Sequence, residues 1–305
     1  LSFSVTILGS SGALPALGRF PSSQYINIGK HHFLVDAGEG AQIQLARFGI
    51  NTNRIEAILI SHLHGDHYLG LMGLLFTMHL NKRQADLHLY AFKGLSEIIL
   101  LQLKYSKSSL NYKLLFHELH ENISETIFSS QTITVQTIPL KHKIPCSGFL
   151  FREEPKQRRI DKEKLPAGML IQHIALLKQG HDVFTESGEI LYKNTDYTLA
   201  ARSSRSYAYC SDTAFHEPLI PALQNVDLLY HEATFTSDDQ EKANETRHST
   251  AREAATIALK SGAKKLIIGH FSARYHSPEV LLAEARITFP ETHLAIEGET
   301  FNIDE

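Results

Sequence analysis

The chain has 305 residues, 43% of them hydrophobic, with 30 Lys and Arg against 33 Asp and Glu and a formal net charge of −3. That length and apolar share suit one large α/β domain or two average ones, and no apolar run approaches the ~20 residues of a membrane helix. The near-even charge balance excludes a generally basic nucleic-acid-binding surface, so any such function must rest on local basic patches and metal charge.

In chain order, Leu1-Ser-Phe-Ser-Val-Thr-Ile-Leu-Gly9 reads as a strand running into a Gly turn. It lacks the basic segment and small-residue cleavage site of a signal peptide. Strands are predicted at Val5–Leu8, Tyr25–Ile28 and Phe33–Asp36, with a turn at Gly29-Lys30. A helix follows at Gly40–Arg47, a strand at Ile55–Ile60 and a strongly apolar helix at Tyr68–Leu80. Further strands fit Leu87–Tyr90, Ile133–Ile138, Tyr207–Cys210, Leu228–Tyr230 and Leu266–Ile268. Helices fit Leu95–Tyr105, Thr250–Lys260 and Pro278–Ala285. The helix at Thr250 carries the capping-box pattern Thr250-x-x-Glu253 and closes at Gly262. This mixture predicts one layered α/β domain.

One segment departs from it. Residues 152–164 hold six basic and four acidic side chains and almost nothing apolar, followed by a short amphipathic run at Ile171–Gly180. The stretch reads as an excursion of about 153–193, leaving the domain near Phe151 and returning near Tyr197. The two cysteines, Cys146 and Cys210, sit in apolar strand-like contexts and read as buried small side chains, which a reducing cytoplasm fits.

The 18 histidines are the compositional oddity, and their placement carries the chemistry. Ser61-His62-Leu-His64-Gly-Asp66-His67 follows a predicted strand and opens a predicted helix. Neutral imidazoles and a carboxylate are good ligands for Zn²⁺. His62 and His64 can address one ion, while Asp66 and His67 turn towards a second. One turn cannot complete two sites. His142, Asp212 and His270 each lie just beyond a predicted strand, and they become the candidate remaining ligands.

This ordered set resembles that of the metallo-β-lactamase superfamily. The resemblance implies a four-layer αββα sandwich with two Zn²⁺ per chain at the strand edges. His62, His64 and His142 would hold one zinc, Asp66, His67 and His270 the other, and Asp212 would bridge them. Asp36, in Phe33-Leu-Val-Asp36-Ala-Gly-Glu-Gly40, matches an acid that orients ligand imidazoles, although it also reads as a plain turn aspartate before Gly38.

Three further stretches narrow the resemblance. Leu229-Tyr-His231-Glu232-Ala-Thr-Phe235, Arg247-His248-Ser-Thr250 and Gly269-His270-Phe-Ser-Ala-Arg274-Tyr275 are together similar to tRNase Z, from Gly9 to about His276. The excursion falls where that family carries a flexible tRNA-gripping arm. Two departures stand out. The arm has Pro166-Ala-Gly168 in place of a Gly-Pro dipeptide, keeping the Leu177-Lys178-x-Gly180 ending. The N-terminal substrate loop reads Pro15-Ala-Leu-Gly-Arg19, without the usual lysine.

The resemblance implies a zinc-dependent endoribonuclease that removes the 3′ trailer from precursor tRNA and leaves a tRNA 3′-hydroxyl. Two zinc ions roughly 3.5–4 Å apart can turn a bridging water into hydroxide and clamp an in-line phosphoryl displacement. Asp66 is placed to orient the nucleophile or take its proton, and His248, oriented by Glu232, is the candidate proton donor. His248 reads equally as an exposed residue outside a helix cap. Arg19, Lys178, Ser272 and Arg274 are candidate substrate contacts, with Arg274 equally suited to a structural ion pair. The family implies a cytoplasmic homodimer acting on precursor tRNA, away from any membrane. The competing readings are a small-molecule phosphodiesterase or ester hydrolase of the same superfamily, and a catalytically silent RNA-binding homologue.

Overall fold

A computed structural model describes residues 2–304, so Leu1 of the opening strand reading lies outside the described residues. β1 (Phe3–Gly9), β2 (Ser23–Ile28) and β3 (His31–Val35) form an antiparallel meander. After α1 (Ala41–Arg47) come β4 (Ala57–Leu59), α2 (Gly65–Tyr68), α3 (Leu71–Leu80), β5 (Leu87–Ala91), α4 (Leu95–Tyr105) and β6 (Leu114–Glu118). A second meander consists of β7 (Thr126–Ser129), β8 (Ile133–Pro139) and β9 (Ser147–Glu153). The excursion carries β10 (Arg159–Ile160), α5 (Ile171–Lys178), β11 (Val183–Phe184), β12 (Ile190–Tyr192), α6 (Asn194–Tyr197) and β13 (Thr198–Leu199). The chain then runs through β14 (Ser206–Cys210), β15 (Leu228–Glu232), α7 (Gln240–Thr246), α8 (Ala251–Ser261), β16 (Lys265–Gly269) and α9 (Glu279–Thr288). It finishes with β17 (Thr292–Leu294) and β18 (Thr300–Asn302).

Two seven-stranded sheets result, ordered β18-β1-β2-β3-β4-β5-β6 and β17-β16-β15-β14-β9-β8-β7. Strand periodicity sorts their side chains into three cores. Val5, Phe33, Leu59, Phe151, Tyr207 and Tyr230 pack between the sheets. Leu34 and Ile58 point the other way, onto a layer that includes Leu45, Leu74 and Ile99 of the helices. Ala208, Leu229 and Ile268 point outward from the second sheet onto α8 and α9 residues such as Ile257 and Leu281. The expected αββα sandwich is the observed fold.

Two local departures from the sequence reading have physical causes. The apolar helix expected at Tyr68–Leu80 is broken into α2 and α3 at Leu69-Gly70. Gly70 donates its N–H to the Ala37 carbonyl, and a Cβ there would lie 2.1 Å from the Gly38 carbonyl oxygen, so the break docks the helix pair on the β3 loop. The edge strands β6, β7, β17 and β18 were too brief or too mixed in pattern to be predicted, and β9, a seven-residue strand between β14 and β8, went unpredicted as well. The capping box forms as expected. Thr250 Oγ1 accepts from the Glu253 N–H, Glu253 Oε2 accepts from the Thr250 N–H, and Gly262 closes α8 at φ 67°.

The excursion spans residues 154–205 and lies outside both large sheets, in two two-stranded ribbons and two short helices. Its root is clamped by buried Glu153, which accepts from Arg205 Nη2 at 2.6 Å and from Arg205 Nε at 3.0 Å, with Lys156 Nζ 2.9 Å away. Burial alone would raise the Glu153 carboxyl, but the hydrogen bonds from Arg205 and Lys156 outweigh it and pull it from 4.5 down to about 2. A depressed carboxyl stabilises the fold fully above its unfolded value and loses that contribution as pH falls through the folded one. Glu153→Gln is therefore expected to lower Tm at neutral pH, with the gap to the parent closing as pH falls from 4.5 towards 2. A gap that stays constant across that range contradicts the ion-pair account.

Candidate metal centre

Parallel strands of both sheets end at the same edge of the sandwich, and the loops beyond their C-terminal ends converge there. β3 delivers Asp36, β4 delivers Ser61 to His67, β14 delivers Ser211 and Asp212, β15 delivers Glu232 to Thr234, and β16 delivers His270. The antiparallel β8 adds His142. Asp36 and His270 both adopt positive φ, 56° and 60°, a conformation that costs a non-glycine residue about 1–2 kcal/mol and turns each chain sharply into the cluster.

Two groups of ligand-type atoms share Asp212, and Glu232, His248 and His270 make a third beside them. His62 Nε2, His64 Nδ1, His142 Nε2 and Asp212 Oδ2 make the first, with His64 Nδ1 3.1 Å from both other imidazole nitrogens and Asp212 Oδ2 3.5 Å from His62 and 3.8 Å from His142. Asp66 Oδ2, His67 Nε2, His270 Nε2 and Asp212 Oδ1 make the second, at separations of 3.2–3.4 Å. Asp212 gives one oxygen to each. Tetrahedral bonds of about 2.0–2.1 Å place ligand atoms about 3.3–3.4 Å apart, which these spacings match.

The proton positions make the same point. His67 Nδ1–H donates to Asp36 Oδ2 at 2.7 Å and His142 Nδ1–H to the Arg247 carbonyl at 3.0 Å, so both Nε2 atoms face inward, and burial at His67 is outweighed by Asp212, Asp66 and Asp36, which favour a positive charge there. His67 Nε2 and Asp212 Oδ1 are buried without a hydrogen-bond partner. An unsatisfied buried polar atom costs about 1–3 kcal/mol, and lone pairs aimed at one another cost more unless a cation lies between them. The residues therefore fit a divalent-metal pair.

Burial, and then the neighbouring His67, pushes His62 down to about 4, and burial also lowers His64 and His142, which keeps them in the neutral form a metal needs. Burial would raise Asp212, but His270, His67 and His62 hold it well below the usual carboxylate range.

A layer of support surrounds the groups. Asp36 is fully buried and accepts from the Ser61 N–H at 2.7 Å, Ser61 Oγ at 2.9 Å and Tyr209 OH at 2.7 Å besides His67. Ser61 Oγ also meets Ser211 Oγ at 2.9 Å. The Ala13 N–H donates to Asp66 Oδ2 at 2.8 Å, and a Cβ on neighbouring Gly12 would sit 2.8 Å from the His270 ring. The N-terminal loop is thus part of the site. Sequence reasoning missed Ser61, Ser211, Tyr209 and this loop contact. Only Ser61 carried a signal, as the residue preceding the first histidine motif.

His248 Nδ1 lies 2.8 Å from Glu232 Oε1, with its ring stacked 5.2 Å from His270 and tilted 57° against His142 at 5.1 Å. Glu232 is completely buried and also accepts the N–H groups of Thr213, Thr234 and Ser249. Burial disfavours a charged His248, but Glu232 and then Asp212 outweigh it and push it up to about 9. Thr234 Oγ1 donates to Glu232 Oε2 at 2.7 Å and accepts from His270 Nδ1 at 2.9 Å, which ties the His248–Glu232 pair to the second group. Thr234 stands in the His231-to-Phe235 motif, yet nothing in the sequence gave it a role.

The remaining candidates are dispersed. Arg19 Nη2 donates to the Tyr275 carbonyl at 3.2 Å and so pins the N-terminal loop to the loop after β16. Ser272 Oγ faces the Arg274 N–H at 3.5 Å. Arg274 forms an ion pair with Asp239 at 2.5 Å and covers the Phe235 ring. Lys178 lies apart, at the end of α5, beside a cleft of about 1100 Å³ lined also by Arg158, Arg159 and Lys162.

The family model for the anti-Pycsar protein Apyc1 matches residues 3–160, just over half of the chain, and stops before Asp212, Glu232, His248 and His270. A relative from Cytophaga hutchinsonii named ribonuclease Z is 46% identical over 305 residues, which cover 100% of this chain and 97% of the relative. The chain belongs to the ribonuclease Z family. Among solved structures, human tRNase Z, short form, aligns with TM-score 0.73 and 26% identity over 99% of this chain and 100% of its own. The metallo-beta-lactamase fold protein YhfI from Bacillus subtilis aligns with TM-score 0.68 and 20% identity over 98% of each chain, a likeness of fold. The match to the Cytophaga hutchinsonii relative covers the whole chain and so extends past residue 160, where the first family model stops.

Proposed function

We propose that the chain is a zinc-dependent endoribonuclease that removes the 3′ trailer from precursor tRNA. The observation that carries the reading is the buried Glu232 carboxylate holding His248 beside both ligand groups. A proton donor there matters most when the leaving group is a poor one, as a ribose 3′-oxygen is.

Bound at the two groups, a pair of zinc ions would supply an activated water and neutralise the charge of the phosphate. Asp212 spans the groups and fixes their separation. Asp66 has its contacts on Oδ2, leaving Oδ1 to hold the proton of the attacking water. His248 keeps Nδ1–H on Glu232 and delivers its Nε2 proton to the leaving 3′-oxygen. The bond from phosphorus to that oxygen breaks as the bond to water forms, so the tRNA leaves with a 3′-hydroxyl and the trailer with a 5′-phosphate. Asp36, Ser61 and Thr234 orient imidazoles through the hydrogen bonds already described.

Residues 154–205 serve as the tRNA-gripping arm of this single catalytic domain. β9 starts beside the site, where the Ser147 N–H meets the Ser61 carbonyl, and ends six residues on at Glu153, where the arm begins. At about 3.3 Å per residue the arm is rooted some 20 Å from the metal groups. It therefore suits RNA contacts remote from the cleaved bond. In a homodimer it can hold the tRNA cut by the partner chain. Its Lys178, Arg158, Arg159 and Lys162 face phosphates, an interaction that salt weakens. A cytoplasmic location goes with this substrate and with two buried free thiols. Among the described residues no helix is long and apolar enough to cross a membrane.

Replacing residues 157–200 by a short Gly/Ser linker tests the reading against a small-molecule phosphodiesterase. Metal content and turnover of a small phosphodiester are expected to persist, while precursor tRNA cleavage falls, mainly through a higher KM. Unchanged tRNA processing by the shortened protein would remove the arm from the account.

A further inference from the structure

Beside the first ligand group opens a cavity of about 490 Å³, within the usual range for a ligand site, that the reaction as derived does not use. It is walled by the β8–β9 turn and closed by His216 and Arg247. Lys141, Lys143 and Arg247 line it and are exposed, and none has a carboxylate within ion-pair distance among the described residues. Glu121 is the one acid in its lining, and Glu245 lies within electrostatic reach of Lys143. Ile144 and Pro145 add an apolar face.

The cavity is built onto the metal centre. His142 belongs both to its wall and to the first ligand group, and it exchanges two hydrogen bonds with Arg247, Nδ1–H to the Arg247 carbonyl at 3.0 Å and Arg247 Nη1 to the His142 carbonyl at 2.7 Å. The turn itself is held by backbone contacts. The Lys141 N–H donates to Thr213 Oγ1 at 3.1 Å and its carbonyl accepts from the Ala214 N–H at 2.9 Å, so the lysine side chains stay available.

We propose that this groove binds the sugar–phosphate backbone of the RNA strand adjoining the scissile bond. Lys141, Lys143 and Arg247 take successive phosphates, and Ile144 and Pro145 take a ribose or base face. The inference rests on the RNA reading above and assigns that substrate a second, local grip distinct from the arm. Three cations without a carboxylate partner among the described residues fit a polyanion, and the shared wall at His142 sets the strand running from the metal groups into the groove.

The test compares the parent with the double variant Lys141→Ala/Lys143→Ala, using a 12-nucleotide single-stranded RNA and precursor tRNAs with trailers of one to ten nucleotides. Each lost phosphate contact on a single strand lowers the salt slope by about 0.7. The variant is expected to bind the oligonucleotide about tenfold more weakly at low salt, with a slope smaller by about 1.4. Metal content and turnover of a small nitrophenyl phosphodiester should stay at the parent's level, and the double Lys→Arg variant should restore binding. A KM penalty that grows with trailer length assigns the groove to the trailer. A penalty independent of trailer length assigns it to the acceptor side, and either result supports the groove. Equal Kd, KM and salt slope in parent and Ala variant overturn it. A parent that binds the oligonucleotide through these lysines yet cleaves no precursor tRNA retains the groove and loses the functional reading.

Discussion

His248→Ala is expected to slow cleavage of an RNA phosphodiester by about 10²–10⁴-fold, the range for loss of a positioned general acid. Turnover of a bis-nitrophenyl phosphodiester should change far less, because nitrophenolate departs without a proton. The contrast arises from geometry: His248 touches Glu232 at 2.8 Å, stacks on the His270 ring and lies beside the His142 ring, without belonging to either of the four-residue groups that share Asp212. Glu232→Gln should show the same selectivity with a smaller loss, since it keeps the shape and removes the charge that holds His248 protonated. Metal analysis and the nitrophenyl substrate together separate this outcome from misfolding. Equal losses on both substrates would refute the donor role.

Asp212→Ala is the second large effect. Each ligand group loses one oxygen, and the element that fixes their separation disappears. Metal bound per chain is expected to fall from about two to one or fewer, and RNA and nitrophenyl turnover should fall together. The loss should exceed the roughly 10–100-fold typical of residues that merely orient a ligand. Metal that binds only the native state raises Tm, so the difference in Tm between loaded and chelated protein should shrink in the variant. Two ions retained per chain with near-parental activity would contradict the bridging geometry.

The ligand-type residues were legible because the fold makes local pattern and chemistry coincide. His62, His64, Asp66 and His67 occupy one turn after a strand, and His142, Asp212 and His270 each follow a recognisable strand end. The strands themselves showed as short apolar runs such as Phe33-Leu34-Val35, buried on both faces, with Phe33 between the sheets and Leu34 on the helical layer. What escaped depends on long-range packing. Tyr209 reaches Asp36 across the two sheets, and the Ala13 N–H reaches Asp66 from 53 residues away. The helix break at Gly70 likewise follows from a close approach to the Gly38 carbonyl that no local pattern encodes. Lys141 and Lys143 drew no reading from the sequence, because only the folded β8–β9 turn places them on a cavity wall.

The most direct test is to incubate the purified, zinc-loaded chain with a precursor tRNA bearing a 3′ trailer and map both product ends. The account predicts a single cut releasing tRNA with a 3′-hydroxyl and a trailer with a 5′-phosphate, abolished by chelation and restored by Zn²⁺. A zinc-loaded protein that leaves the precursor intact while hydrolysing a small phosphodiester would contradict it.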